Sequence, residues 1–163
     1  MRRKFWMAAL AALMLPADAA PADDRAVVMG QIDISFYAVA GAVVQDVLER
    51  LGHRVEVRTG SHGDIFPVLG RGELDLLVAA WLPSGHAEYW ARYGGDAAQL
   101  ATLYRGARLY WAVPPYVPAD QVASVADLKK PDVARRMVKT IRGTAPDSGL
   151  VIGSRRIMAH YRL

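Results

Sequence analysis

Apolar residues along the chain change their period several times, and each change marks an element. RAVVMGQIDI (Arg25 to Ile34) is rich in β-formers and predicts a strand, and Ser35 stands where it can cap a following helix. In FYAVAGAVVQDVLERLG the apolar positions Val39, Val43, Val44, Val47, Leu48 and Leu51 have helical spacing, with Gly52 placed to stop the helix. HRVEVRTG alternates Val55 and Val57 with polar neighbours, as a strand does. DIFPVLGRGE reads as a short helical or turn segment, loosened by Pro67, Gly70 and Gly72. LDLLVAAW is a near-continuous apolar run ending at Trp81, which suits a strand buried on both faces of a parallel sheet. The order β-α-β-α-β predicts an α/β fold.

Past Trp81 the pattern is less regular. SGHAEYWARYG predicts a helix closed by Gly94-Gly95, with His86, Trp90 and Tyr93 on one face. ARLYWAVPPYVPAD predicts a strand running into a connector stiffened by Pro114, Pro115 and Pro118. Ser124-x-x-Asp127 has the form of a capping box, VKTIRG predicts another short strand, TAPDSG a turn, and LVIGSRRIMAHYRL a closing helix. The shift in composition near residue 114 suggests a boundary between lobes. It divides the chain into residues 20–110, a first α/β lobe, and 111–163, a partial second one of about fifty residues, near the lower limit for a domain.

The first residues lie outside this scheme. MRRKFWMAALAALMLPADAA has a basic start (Arg2, Arg3, Lys4), an apolar run from Phe5 to Leu15, and a small-x-small triplet, Ala17-Asp18-Ala19. That layout predicts a secretory signal peptide over residues 1–19, and hence a periplasmic location. The run falls short of the ~20 residues a spanning helix needs, and with no cysteine after it a lipid anchor is not expected. Setting aside Arg2, Arg3, Lys4 and Asp18 leaves 17 basic and 15 acidic side chains, an excess too small to argue for nucleic acid. The absence of cysteine excludes disulfides, thiol catalysis and cysteine-based zinc sites. Packing alone must hold the fold, and with 53% hydrophobic residues there is material for one core.

Motifs of common enzymes are missing: no Gly-x-Ser-x-Gly, no Gly-x-x-x-x-Gly-Lys-Ser/Thr, no His-Glu-x-x-His. His53, His62, His86 and His160 fit no common metal spacing, and each reads as a surface or locally hydrogen-bonded imidazole. No metal or cofactor is expected. The aromatic residues carry the stronger signal. Trp81 closes a strand, and ligands of open α/β sheets bind outside the carboxyl ends of strands; on the residues alone it is either such a wall or a core ring. Pro83 holds the backbone just after it. Phe36 and Tyr37 fall at another strand end, and Ser35 with the free amides of the helix start suits an anion. Trp90, on a helix with apolar partners, reads as packing. Ring faces for a cation beside amides for a carboxylate describe a site for a quaternary ammonium zwitterion, whose methylated nitrogen donates no hydrogen bond and is recognised by cation–π contact.

GQIDISFYAVAGAVVQDVLERLGHRVEV, GELDLLVAAWLPSGHAEYW, LYRGARLYWAVPPYV and IRGTAPDSGL together resemble the substrate-binding proteins of glycine betaine, choline and proline betaine ABC transporters. The AWLP segment followed by HAEYW is the most specific piece. The resemblance implies a type II periplasmic binding protein fold, with the first lobe largely present and the second incomplete, so that the chain is similar to a member shortened at its C-terminus. It implies that Trp81 is a wall of an aromatic cage, with Pro83 and His86 beside it, and that Ile34-Ser35-Phe36 helps line the first-lobe side. The Gly143 to Gly149 turn would face the ligand from the second lobe, with Ser148 where some relatives carry a cage tryptophan.

The partners so implied are a small zwitterionic or cationic ligand and an ABC permease, through which alone the protein would meet the membrane. A desolvated cation–π contact gives about 2 kcal/mol and a three-ring cage ~6, against about 8.2 for micromolar affinity. With one ring and an incomplete second lobe, the expected affinity is millimolar or weaker. Three other readings stay open: a non-functional fragment, an effector-binding domain on the same fold, and a periplasmic enzyme for a small zwitterion relying on Asp33 or His86.

Overall fold

A computed structural model describes residues 25–163; the predicted signal peptide lies outside them. Three strands form a parallel sheet in the order β2-β1-β3, with β1 at Val27–Ile32, β2 at Val55–Gly60 and β3 at Leu76–Leu77. Val27 pairs with Val55 and Ile32 with Gly60, while Met29 and Gly30 pair with Leu76 and Leu77. Helices α1 (Ser35–Arg50) and α2 (His62–Gly70) follow the first two strands, so the predicted alternation is the one found. Helix α3 spans Ala87–Tyr93.

Gly52 stands where the helical spacing places the end of α1. Leu51 caps α1 and Gly52 follows at φ 90°, a left-handed conformation that glycine adopts without strain. Ser61 and Asp64 form a reciprocal capping box at the start of α2. Ser35 is different: Ile34 occupies the cap position of α1 without a side-chain bond, and Ser35 is the first helical residue.

β3 is shorter than the apolar run predicts. The Asp75 amide still donates to Val28 and the Val78 amide to Gly30, but Ala79 has φ 67° and turns the chain out of the sheet. A left-handed alanine is uncommon. Its effect is to carry Ala80 and Trp81 away from the strand line at the sheet's carboxyl end.

Met29, Ile32, Ile65, Phe66 and Val78 are almost wholly buried, and Tyr37 is 5% exposed. Ile32, Tyr37 and Phe66 form one cluster, against which Leu77, Tyr89 and Tyr93 pack. Tyr89 and Tyr93 are therefore partly buried against the core, and Trp90, read from the sequence as packing, is half-buried over Gly94. On α1 the buried side carries Tyr37 and Gly41, whereas Val39, Val43, Val47 and Leu51 are at least half exposed along the other face.

Beyond α3 the described residues contain no strand. ARLYWAVPPYV and VKTIRG are extended in sequence pattern but lie beside no strand that can accept their amides, and Tyr110 and Val138 are 72% and 84% exposed. Both strand expectations are therefore corrected: alternation supplies a face, and a ladder also needs an adjacent edge. The Ser124–Asp127 capping box is present, but it opens a 3-10 turn, Val125–Lys129, before the short helix α4, Pro131–Arg136. The chain ends in α5, Gly149–Tyr161, capped by Ser148, whose side chain accepts from the Val151 amide.

Candidate functional site

The segment before α5 packs directly on the sheet's carboxyl end. Asp147 Oδ2 accepts the Gly63 amide at 2.8 Å, and the Tyr89 hydroxyl donates to the Asp147 carbonyl at 2.8 Å. Burial pushes the Asp147 carboxyl up, but the bonds from Gly63 and Ser61 outweigh it and hold the group below the usual range. Gly149 lies so close to Gly85 that a β-carbon on it would come within 1.7 Å of the Gly85 carbonyl oxygen. Only glycine permits that approach.

Between these parts lies a cleft of about 140 Å³. Ile34, Phe36 and Tyr37 line it from the β1–α1 junction, Trp81 and His86 from the segment after β3, and His62 from the start of α2. Thr144, Ser148, Gly149 and Leu150 line it from the turn and the first residues of α5, with Leu109 completing the wall. Drug-sized pockets occupy ~300–1,000 Å³, so this cleft suits a smaller molecule.

The rings stand in a group. The Phe36 and Trp81 centroids are 6.3 Å apart with planes tilted by 38°, and Tyr104 meets Phe36 edge-on at 5.5 Å. Phe36 is 44% exposed, so a ring face remains accessible beside the half-buried indole. Tyr37 is buried, and burial, followed by the influence of Tyr104, pushes its hydroxyl pKa up to about 12; it is a neutral donor or acceptor throughout the physiological range.

His86 is 2% exposed and bonded within the segment. Its Nδ1 accepts the Trp81 amide at 2.9 Å, so its ring hydrogen is on Nε2, which faces the Tyr37 hydroxyl at 3.4 Å. Burial, then the neighbouring His62, lowers its pKa to about 4. The reading of His86 as a locally bonded imidazole thus holds.

The same reading is corrected for His62, which is also 2% exposed but whose Nδ1 has no hydrogen-bond partner. Its ring centroid is 4.9 Å from that of His86, and burial lowers its pKa although Asp147 pulls the other way. A histidine following a cap serine carries no local sign that it will be enclosed.

Of the candidate ligand residues, Phe36, Tyr37, Trp81, His86 and Ser148 are brought together around the cleft. Ser35 and Pro83 are exposed and do not line it, Ser35 because it begins the outer side of α1 and Pro83 because the chain turns outward after Trp81. His62 and Leu109 were not among the candidates. Among the described residues no group of three or more histidine or acidic side chains is arranged to hold a metal ion, and no helix is long and apolar enough to cross a membrane.

Comparison with known proteins bears on the whole described region. Residues 25–163 match the family described as the substrate binding domain of the ABC-type glycine betaine transport system. The chain is 29% identical over 87 residues to the glycine betaine/carnitine transport binding protein GbuC of Listeria monocytogenes, a match covering 53% of this chain and 28% of that protein. It is also 29% identical over 117 residues to the uncharacterized protein ORF1 of Chromohalobacter salexigens, covering 70% of this chain and 74% of the relative. No solved structure matches significantly. With the family match spanning every described residue, the chain belongs to the family of substrate-binding domains of ABC-type glycine betaine transport systems.

Proposed function

We propose that the protein binds a small quaternary ammonium zwitterion, glycine betaine or a close analogue, in the cleft beside Trp81, and presents it to an ABC permease from the periplasmic side of the membrane. The observation that carries this reading is the convergence, in one small cleft, of exposed ring surface and a helix amino end. Phe36 and Trp81 supply the rings. Gly149 and Leu150 are the first two residues of α5, whose amides no carbonyl of the same helix can reach.

The chemistry of the ligand matches both. A methylated ammonium has no N–H and is held by dispersion and cation–π attraction to ring faces. A carboxylate takes hydrogen bonds from free amides and is favoured by the positive end of a helix dipole. Thr144 and Ser148, whose hydroxyls are bonded to each other at 2.7 Å, leave one hydroxyl donor at the same end of α5. His62 and His86 are neutral near pH 7, which leaves the cation without a like charge beside it.

Two desolvated ring contacts contribute about 4 kcal/mol, corresponding to a millimolar dissociation constant before carboxylate contacts are counted. Titration of the purified protein with glycine betaine, followed by saturation transfer to the methyl protons of the ligand, tests the reading. Saturable binding that Trp81→Ala loses supports it. Absence of binding at tens of millimolar would remove it.

A further inference from the structure

We propose that a second cavity of this chain, between α3 and the first turns of α2 and α5, binds a small aromatic carboxylate, with the Arg92 guanidinium taking the carboxylate.

The cavity measures about 350 Å³ and is walled by Gly63 of α2, by Glu88, Tyr89, Arg92 and Tyr93 of α3, and by Ile152 of α5. It shares no lining residue with the cleft beside Trp81, and it falls within the size range of small-molecule sites, ~300–1,000 Å³. Its walls are tied to one another. The Gly63 amide donates to Asp147 Oδ2, the Tyr89 hydroxyl donates to the Asp147 carbonyl, and Arg156 is ion-paired with Glu88.

Those bonds also commit most of the polar groups in the wall. Arg92 is the exception. Its guanidinium lies over the Tyr93 ring, 5.1 Å from the centroid, and among the described residues no carboxylate or carbonyl is bonded to it. Stacking occupies a face of the guanidinium and leaves its edge N–H groups, the fork that matches a carboxylate.

The lining sets both ends of the ligand. With Glu88 paired to Arg156, the wall carries one uncompensated positive charge, on a group that can only donate; the ligand is therefore an anion that accepts bonds side by side. The rest of the wall is the rings of Tyr89 and Tyr93 and the side chain of Ile152, all half-buried, which favour a flat apolar body. A quaternary ammonium is disfavoured here by the same charge that attracts the anion.

Saturation-transfer nuclear magnetic resonance on the purified protein compares benzoate with acetate, which has the charge alone, and benzamide, which has the ring without the charge. Benzoate is expected to bind at least about tenfold more tightly than either. Arg92→Gln should lower its affinity about tenfold, the worth of a hydrogen bond between charged groups, and Arg92→Lys, which keeps the charge and loses the fork, should fall between. Trp81→Ala should leave benzoate binding unchanged, and glycine betaine should not displace it. The proposal is overturned if benzoate shows no saturable binding at tens of millimolar, if benzamide binds equally well, or if Arg92→Gln binds benzoate as the wild type does. Loss of benzoate binding in Trp81→Ala, or its displacement by glycine betaine, puts benzoate in the other cleft and overturns the proposal too. None of these outcomes depends on whether glycine betaine itself binds.

Discussion

Trp81 and His86 are tied to each other twice: the Trp81 amide donates to His86 Nδ1 and the His86 amide donates to the Trp81 carbonyl, both at 2.9 Å. The loop Leu82 to Gly85 is thereby closed on itself, and the backbone that carries the indole is held by a buried neutral imidazole. The second nitrogen of that imidazole faces Tyr37, so one histidine couples the segment after β3 to the β1–α1 junction.

This arrangement makes stability depend on pH. His86 has a pKa of about 4 in the folded chain against 6.5 when free, so between those values the unfolded state binds more protons. Stability is then full above pH 6.5, falls as the pH drops from 6.5 toward 4, and levels off below; His62 contributes in the same direction. The loss attributable to His86 is on the order of 3 kcal/mol. Urea midpoints measured from pH 7.5 to 4 check it, and His86→Gln should flatten much of the profile.

Trp81 and Trp90 should separate by function. Trp81→Ala is expected to weaken glycine betaine binding about tenfold or more, the loss of one partly desolvated ring contact. Trp90→Ala should lower the melting temperature and change affinity by less than about twofold, since Trp90 does not line the cleft. Parallel titrations and melts of the two variants decide it.

Gly149→Ala should detach the turn from the rest of the molecule. The added methyl meets the Gly85 carbonyl oxygen, backbone against backbone, and no side-chain rotation relieves it. A cost of about 2 kcal/mol or more is expected. The Gly63 amide, protected now by Asp147, should exchange faster with solvent deuterium in the variant.

Ala79→Gly should raise stability slightly, by up to about 1 kcal/mol, because glycine takes φ 67° without the clash alanine bears there. Ala79→Val should destabilise by more than that, since a β-branched side chain tolerates the left-handed region poorly. Thermal melts of the two variants give the comparison. Opposite signs are expected.

The first half of the fold was legible because its signals are local. Helical spacing with Gly52 at the end found α1, the alternation around Val55 and Val57 found β2, and Ser61 with Asp64 starts α2 through bonds within four residues. The failures have one cause. Tyr110 and Val138 sit in stretches with strand patterns, but a strand is completed by a neighbour that the pattern does not name, and here none is adjacent. In the candidate site Trp81 stood out through its place at a strand end. His62 did not, because its burial comes from Tyr37, His86 and Tyr89, residues 24 or more positions away.

By itself the sequence determined the α/β alternation, the end of α1 at Gly52 and the family to which the chain belongs, since these rest on spacing and on short motifs such as AWLP and HAEYW. Only the tertiary structure decided which aromatic rings meet. Phe36 and Trp81 are brought together by the parallel pairing of β1 with β3 and by the left-handed turn at Ala79. It also decided that Ser148 and His62 share a cleft, because the packing of Gly149 on Gly85 seats the start of α5 against the carboxyl end of the sheet. Such contacts join residues whose separation along the chain says nothing of their distance in space.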